Sequence, residues 1–574
     1  MKTMKFGPLL LVLLLSGAVL GQGNTPTSQY EVQGIYSPTL MDAEKIDMRP
    51  EPIDTILPSL PVRYEVLSVK GDVPARVDSI AAAKLALLQP NQRLYKGFLK
   101  AGFGLYTTPL GEFYFDQTRS KDNGYGFHYK HMSSNGGLDD VGPSDYSFNN
   151  IDAFYKHFLP KHEVSGRLTY ERRRISYYGY ENTDSIAEVI LVAPEPPEDA
   201  VKQVYNDIGF AGRIRSLYGD SSKIAHDVDL EVHSYGNLTG SRETNLRIAA
   251  DLAREDGKET YGAGVLIDNN AYRGKLRLGD ELTDLRQSGS LLGLMPHVST
   301  KGDKYVVKVG VGMYLDALGK TTFHFYPQAY LSYNLFDDIL IPYAGVDGAK
   351  MRNSFRSLTR QNPWLNGAPS LVNSSKQYDI YGGLRGSFGS DLGFDVRVST
   401  SRIKDMALFV NVPNSPYGDR MAVIYDQVDV LDLSGEVHYH HREALGVTAR
   451  INVSTYTQEF QAEAWNLPPY QLSLGVHYDI RNKLILRAEA IFLGARKAKV
   501  EELITVDGVS GLVPNSRIID LDGFLDLYIG AEYRYTKRLS VFLDASNLSA
   551  SKYERWYRYP VQRSLIMVGA TYAF

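Results

Sequence analysis

Long stretches of this chain alternate between apolar and polar residues with a period of two. Beyond the first 21 residues it contains no run of about 18 apolar residues of the kind a membrane-spanning helix needs. From Tyr470 to Asp479, one face carries Tyr470, Leu472, Leu474, Val476 and Tyr478, and the other carries Gln471, Ser473, Gly475, His477 and Asp479. After the turn Ile480-Arg481-Asn482 the pattern resumes, with Leu484, Leu486, Ala488, Ala490 and Phe492 opposed to Arg487 and Glu489, so the two segments read as a hairpin. Leu525 to Tyr535 repeats the arrangement, with Leu525, Leu527, Ile529, Ala531, Tyr533 and Tyr535 against Asp526, Glu532 and Arg534. A charge on the lipid face of a strand costs about 2–4 kcal/mol near the bilayer midplane, so the charged set has to point inward. Strands in hydrocarbon have no water to satisfy an open edge, and the sheet must therefore close on itself.

About 22 such segments can be placed between Tyr95 and the C-terminus, the tenth of them beginning near Gln287. Their connections alternate in length. Short turns such as Pro160-Lys161, Asp256-Gly257, Lys301-Gly302-Asp303, Asp337-Asp338, Gly389-Ser390, Arg481-Asn482 and Thr536-Lys537 are interleaved with long loops at 133–146, 177–203, 351–376, 496–522 and 550–562. The expected fold is all-β: a transmembrane antiparallel β-barrel over 95–574, with short periplasmic turns, long extracellular loops and, because the count is even, both termini periplasmic. The content of 40 Tyr and 51 Gly and the mean hydropathy of -0.25 suit a barrel with an apolar outside, aromatic girdles and a wet interior.

The first residues point to the same compartment. Lys2 and Lys5 precede the apolar run Pro8 to Leu20, which reads as a secretory signal peptide over 1–21 cleaved after Gly21. The chain has no cysteine, which excludes a lipid-anchored cysteine and any disulfide framework. A net charge of -4 gives no reason to expect a nucleic-acid partner. Residues 22–94 are rich in proline and lack sustained alternation, so they read as an extended periplasmic or lumen-filling segment with one short helix over 78–89.

The closing segments resemble the barrel domain of TonB-dependent outer-membrane receptors. The resemblance rests on the strand count, on the alternation of turns and loops, and on the last hairpins: Val541 to Ser549 with Asp544 and Asn547-Leu548, then Tyr553, then Arg563 to Phe574. The stretch Tyr36 to Asp47 is also similar to the N-terminal segment of short members of that group. In the last strand Ile566, Val568, Ala570, Tyr572 and Phe574 fall on the lipid side, and Tyr572 and Phe574 resemble the C-terminal assembly signal of such barrels. The resemblance implies passage of a solute or ligand across the outer membrane. The 73 residues from Gln22 to Leu94 are about half of what the family's plug domain needs, and no TonB-binding box is identifiable in them. Coupling to TonB is therefore left open, beside the alternative of a non-transporting barrel that docks lipoprotein or periplasmic partners.

Strand parity makes Lys308, His324, Gln328, His477, Arg487, Glu489, Asp526, Glu532, Arg534 and Asp544 the expected lumen-lining residues. No nucleophile motif marks a catalytic site, and no cofactor is implied. His438, His440 and His441 form the densest histidine group, but neighbours in a strand face opposite ways, which argues against a shared metal. Glu171-Arg172-Arg173-Arg174 falls near the outer rim, where it meets solvent or lipid headgroups. A barrel of this width needs closing, and the chain offers residues 22–94 and inward folding of the loops 177–203 and 351–376.

Overall fold

The computed structural model describes residues 95–574 apart from 119, 140, 180–200, 221, 279–280, 337–338, 412–419, 443 and 506–511. The expectations for the signal peptide, for residues 22–94 with their short helix, and for most of loop 177–203 lie outside the described residues.

Among the described residues the main element is one continuous sheet of 24 strands. Two of them, Arg496–Thr505 and Leu512–Leu521, form a hairpin outside the wall, joined to it by the single bridge Asn411 to Val500. Strand Leu484–Leu493 pairs directly with Phe524–Arg534, so the wall itself has 22 antiparallel strands. It closes where the first strand, Gly97–Gly104, pairs with the last, Leu565–Ala573, in a register running from Phe98 opposite Ala573 to Gly104 opposite Met567. The expected count and the expected closed barrel are what is found.

The pleat sorts the side chains as the alternation requires. In strand Thr322–Tyr333, Phe323 and Phe325 are each 64% exposed, whereas their neighbour Tyr326 is 2% exposed. Leaving a side chain of that size in water forfeits roughly 1.5–3 kcal/mol, so a whole outward face of such residues is stable only against hydrocarbon.

The rim that carries both ends of the wall is built from short turns, including 257–258, 302–304, 389–391 and 481–483. Arg481 and Asn482 both take positive φ there, 55° and 54°, as the two central residues of a type I′ turn require, and the Lys483 N–H closes it on Ile480 O. The opposite rim carries the connections 135–145, 352–373, 459–469, 494–523 and 547–564.

Three details depart from the sequence expectations. The tenth strand begins at Glu281 rather than near Gln287, because its upper part rises past the apolar band and its outward residues there, Asp284 and Arg286, are charged. Loop 496–522 contains the external hairpin. Loop 351–376 contains a helix, Phe355–Gln361, and loop 550–562 a small ribbon of Glu554–Trp556 with Tyr559–Pro560.

Candidate functional site

The segment between strands Ile341–Met351 and Ser374–Phe388 does not project from the long-loop rim; it folds back over the inward faces of the wall. Its helix, Phe355–Gln361, starts in a capping box: the Ser354 side chain accepts from the Ser357 N–H, and the Ser357 hydroxyl accepts from the Ser354 N–H. Pro363 stops it shortly afterwards. Seven residues are too few for a helix to stand alone, so its packing must hold it. Phe355, Leu358 and Thr359 share one face and are fully buried. The Phe355 ring lies 5.3 Å from that of Tyr272 and 5.5 Å from that of Tyr235, whose own ring is stacked on Tyr205 at 5.7 Å.

Charge fixes the segment as well as apolar contact does. Five carboxylates point inward from five different strands, and the segment answers each in turn. Glu171 receives Arg360 at 2.5 Å. Asp207 receives Arg356 at 2.5 Å and Arg360 at 3.0 Å, with His233 at 3.2 Å. Glu243 accepts the backbone N–H groups of Phe355 and Arg356 at 2.6 and 3.2 Å, where the helix presents its unpaired donors. Asp268 takes Arg352 at 2.7 Å, and Asp316 takes Lys350 at 3.3 Å together with the Asn373 side-chain amide at 2.9 Å. Going up the chain from Lys350, at the end of the preceding strand, to Arg360 in the helix, the partners run backwards along the wall from 316 to 171, which makes the contact a charge ladder laid across seven consecutive strands, five of which supply a carboxylate.

Backbone carbonyls of the segment are taken up as well. Tyr177 donates to Leu365 O at 3.0 Å, Tyr205 to Pro363 O at 2.7 Å, Tyr272 to Gly367 O at 3.3 Å and Tyr425 to Ser370 O at 2.8 Å. Trp364 donates to Ser176 O and stacks on Tyr559 at 4.2 Å. The loop bearing Tyr559 is itself pinned by Arg496 of the external hairpin, which donates to Glu554 O and Arg555 O at 2.7 Å each; burial pushes the Arg496 guanidinium down to about 10. Buried residues from the wall, the folded-back segment and the Tyr559 loop thus form one apolar cluster at the mouth.

The sequence-derived inward residues lie elsewhere, and several join one another. Arg487 pairs with Glu532 at 3.4 Å and Arg534 with Asp479 at 3.7 Å. Asp544 pairs with Lys100 at 3.4 Å across the closing seam and accepts from Tyr528 at 2.7 Å. Asp526 accepts from Tyr553 at 2.8 Å, and His324 contacts Thr322 at 2.9 Å. Lys308, Gln328, His477 and Glu489 sit in the wall opposite Tyr330, Gly310, Arg487 and Tyr528. None of the ten belongs to the charge ladder. Tyr572 and Phe574 are among the exposed apolar residues, and the Phe574 backbone is hydrogen-bonded to Gly97.

The histidine group is divided: His438 lies on Glu436, while His441 is 3.6 Å from Asp391 of a neighbouring turn. Among the described residues no set of three or more metal-ligating side chains converges. The basic run 171–174 is split by the pleat, with Glu171 and Arg173 reaching the folded-back segment and Arg174 held by Asp145 at 2.6 Å.

Asp207, Glu243, Asp268, Asp316, Arg352, Arg356 and Arg360 were not singled out by sequence. One signal was available: arginines at 352, 356 and 360 repeat every four residues within a loop, the spacing of a single helix face.

No protein-family model matches the chain, and no curated protein sequence does. Solved structures do match. The pyoverdine outer-membrane receptor FpvA of Pseudomonas aeruginosa, bound to pyoverdine, superposes with a TM-score of 0.60 at 13% identity over 84% of this chain and 79% of that one. The FrpB iron transporter of Neisseria meningitidis gives 0.62 at 10% identity over 85% and 82%. The fold is that of a TonB-dependent receptor barrel. The copper transporter OprC matches this receptor-type barrel too, with a TM-score of 0.58 at 12% identity over 84% of this chain and 81% of that one.

Proposed function

We propose that this receptor-type barrel is a passage across the outer membrane whose extracellular mouth is shut by its own segment 352–373, and that a solute or ligand enters when the segment is displaced. The observation that carries the reading is the charge ladder, in which five inward carboxylates of the wall are each met by Arg352, Arg356, Arg360, Asn373 or the start of the helix. Breaking the pairs at the buried Asp207 and Asp268 costs several kcal/mol each, so the segment has one well-defined closed position. Below it, Lys308, His324, Gln328, His477, Arg487, Glu489, Asp526, Glu532, Arg534 and Asp544 are proposed to line the route. Residues 22–94 are proposed to narrow it from the periplasmic side. The structural neighbours named for iron and copper transport and for pyoverdine support transport as the class of activity.

Planar-bilayer conductance tests this. A barrel with 352–373 replaced by a short Gly-Ser linker, and separately one lacking residues 25–90, should each conduct more than the full chain, and the double deletion more than either. A loop-deleted barrel that still shows heat-modifiable migration yet conducts no more than its parent removes the segment as the closure.

A further inference from the structure

The outward face of the wall carries a second feature, unrelated to the mouth. Strands Arg242–Asp256, Glu259–Leu278 and Glu281–Lys301 are adjacent, and their registers place Arg242 opposite Arg273 and Arg273 opposite Arg286. All three are exposed, while their neighbours Glu243 and Tyr272, each 2% exposed, point inward. The row therefore faces outward. Lys275 follows two residues above Arg273 on the same face.

Like charges set directly opposite each other across strands repel. Here one carboxylate, Asp284, serves two of the arginines, at 2.5 Å from Arg273 and 3.9 Å from Arg286. Arg242 makes no ion pair among the described residues. At another place on the outward face, Arg402 is matched by the opposite Asp429 in a two-pronged pair at 2.7 and 2.8 Å.

The height of the row narrows what could neutralise it. Below it on the same three strands come the outward rows Ile248, Ile267, Leu292 and Ala250, Val265, Leu294, and then Tyr261 beside the short turn 257–258. Tyr261 and Arg273 are twelve residues apart in one strand. At about 3.4 Å per residue and a tilt of about 40°, that is a rise of roughly 30 Å, against an apolar band of about 25 Å. With Tyr261 in the periplasmic girdle, the arginines stand just above the hydrocarbon, at the depth of the outer-leaflet headgroups. Between the apolar rows and the arginines the outward face changes character, with Thr244, Asn269, Ser288 and Ser290 interspersed with Leu246 and Ala271, as at a boundary.

We propose that Arg242, Arg273 and Arg286, with Lys275, form a binding site for the phosphorylated headgroup of an outer-leaflet glycolipid of the lipid A type. Guanidinium groups pair with phosphate through two parallel hydrogen bonds, and three in a row span a headgroup bearing two phosphates.

The test uses the full-length protein in detergent, with bisphosphorylated lipid A, the same lipid stripped of phosphate, and inorganic phosphate as probes, and native mass spectrometry as the readout. The phosphorylated lipid should remain bound; the stripped lipid and inorganic phosphate should not. R242Q/R273Q/R286Q should weaken lipid binding about a hundredfold, given the contribution of each cation near an anionic surface. Asp284→Asn keeps every arginine and removes the competing carboxylate, so it should tighten binding by about threefold or more; it decides the matter if the triple variant does not fold. Equal binding of the stripped lipid, competition by inorganic phosphate at matched concentration, a heat-modifiable triple variant that binds like the parent, or no gain in D284N would each overturn the proposal.

Discussion

Asp207 shows how much of the closed mouth depends on single side chains. Its carboxylate takes Arg356, Arg360 and His233 at once and is almost wholly buried, so removing it strands three donors rather than one. Asp207→Ala should destabilise the folded-back segment by roughly 2–4 kcal/mol while leaving the strand ladder intact. Trypsin cleavage after Arg356 or Arg360 in the folded barrel should then speed up by roughly thirtyfold or more; unchanged resistance would show that the ladder does not hold the segment. Gly569 makes a different demand, at the closing seam. A Cβ there would lie 2.2 Å from Ala101 O and 2.4 Å from the Phe542 ring, and the backbone oxygen cannot yield. Gly569→Ala should cost roughly 1–3 kcal/mol and lower the temperature at which the barrel loses its fast-migrating form, an effect absent if the seam can simply widen.

Among the elements, the helix Phe355–Gln361 is the one whose existence depends entirely on its surroundings. Its capping box contributes about 1 kcal/mol, and seven residues supply too few hydrogen bonds to nucleate it alone. What remains is the apolar face, led by Phe355 among Tyr205, Tyr235 and Tyr272. Phe355→Ala empties that pocket, and losses of about 3–5 kcal/mol are usual for such a change. Single-channel recordings should show more frequent opening events than the parent, and identical traces would mean that the ion pairs alone are enough. The strands needed no such help to be found in the sequence: their period-two pattern is imposed by lipid on one side and water on the other, which is why Thr322–Tyr333 and Leu484–Leu493 were placed to within two residues. The tenth strand was placed poorly because the outward face of its upper part carries Asp284 and Arg286, so the apolar alternation that marks the other strands is lost there.

For the whole molecule, the even strand number and the inequality of the two rims fix the topology. An epitope placed in 496–522 should be reached by antibody on intact cells, and one at Lys301-Gly302 or Arg481-Asn482 should not; labelling at the short turns would invert the assignment of the rims. The same topology gives the outer surface two zones of unlike chemistry: the apolar band, and above it the arginine row on strands Arg242–Asp256, Glu259–Leu278 and Glu281–Lys301.

By itself the sequence determined everything that the bilayer dictates residue by residue: that the chain spans as strands, how many there are, which face of each meets lipid, and which rim carries the long loops. These follow from a local rule, since every outward position is tested against hydrocarbon whatever the rest of the chain does. Contacts between residues far apart in sequence obey no such rule. Glu171, Asp207, Glu243, Asp268 and Asp316 have nothing in their own neighbourhoods to distinguish them from other inward carboxylates, and the partners that complete them sit between 34 and 189 residues away. Only once the wall had curved into a barrel did five separate strands present their charges to one loop, and only the tertiary structure decided that the loop folds in.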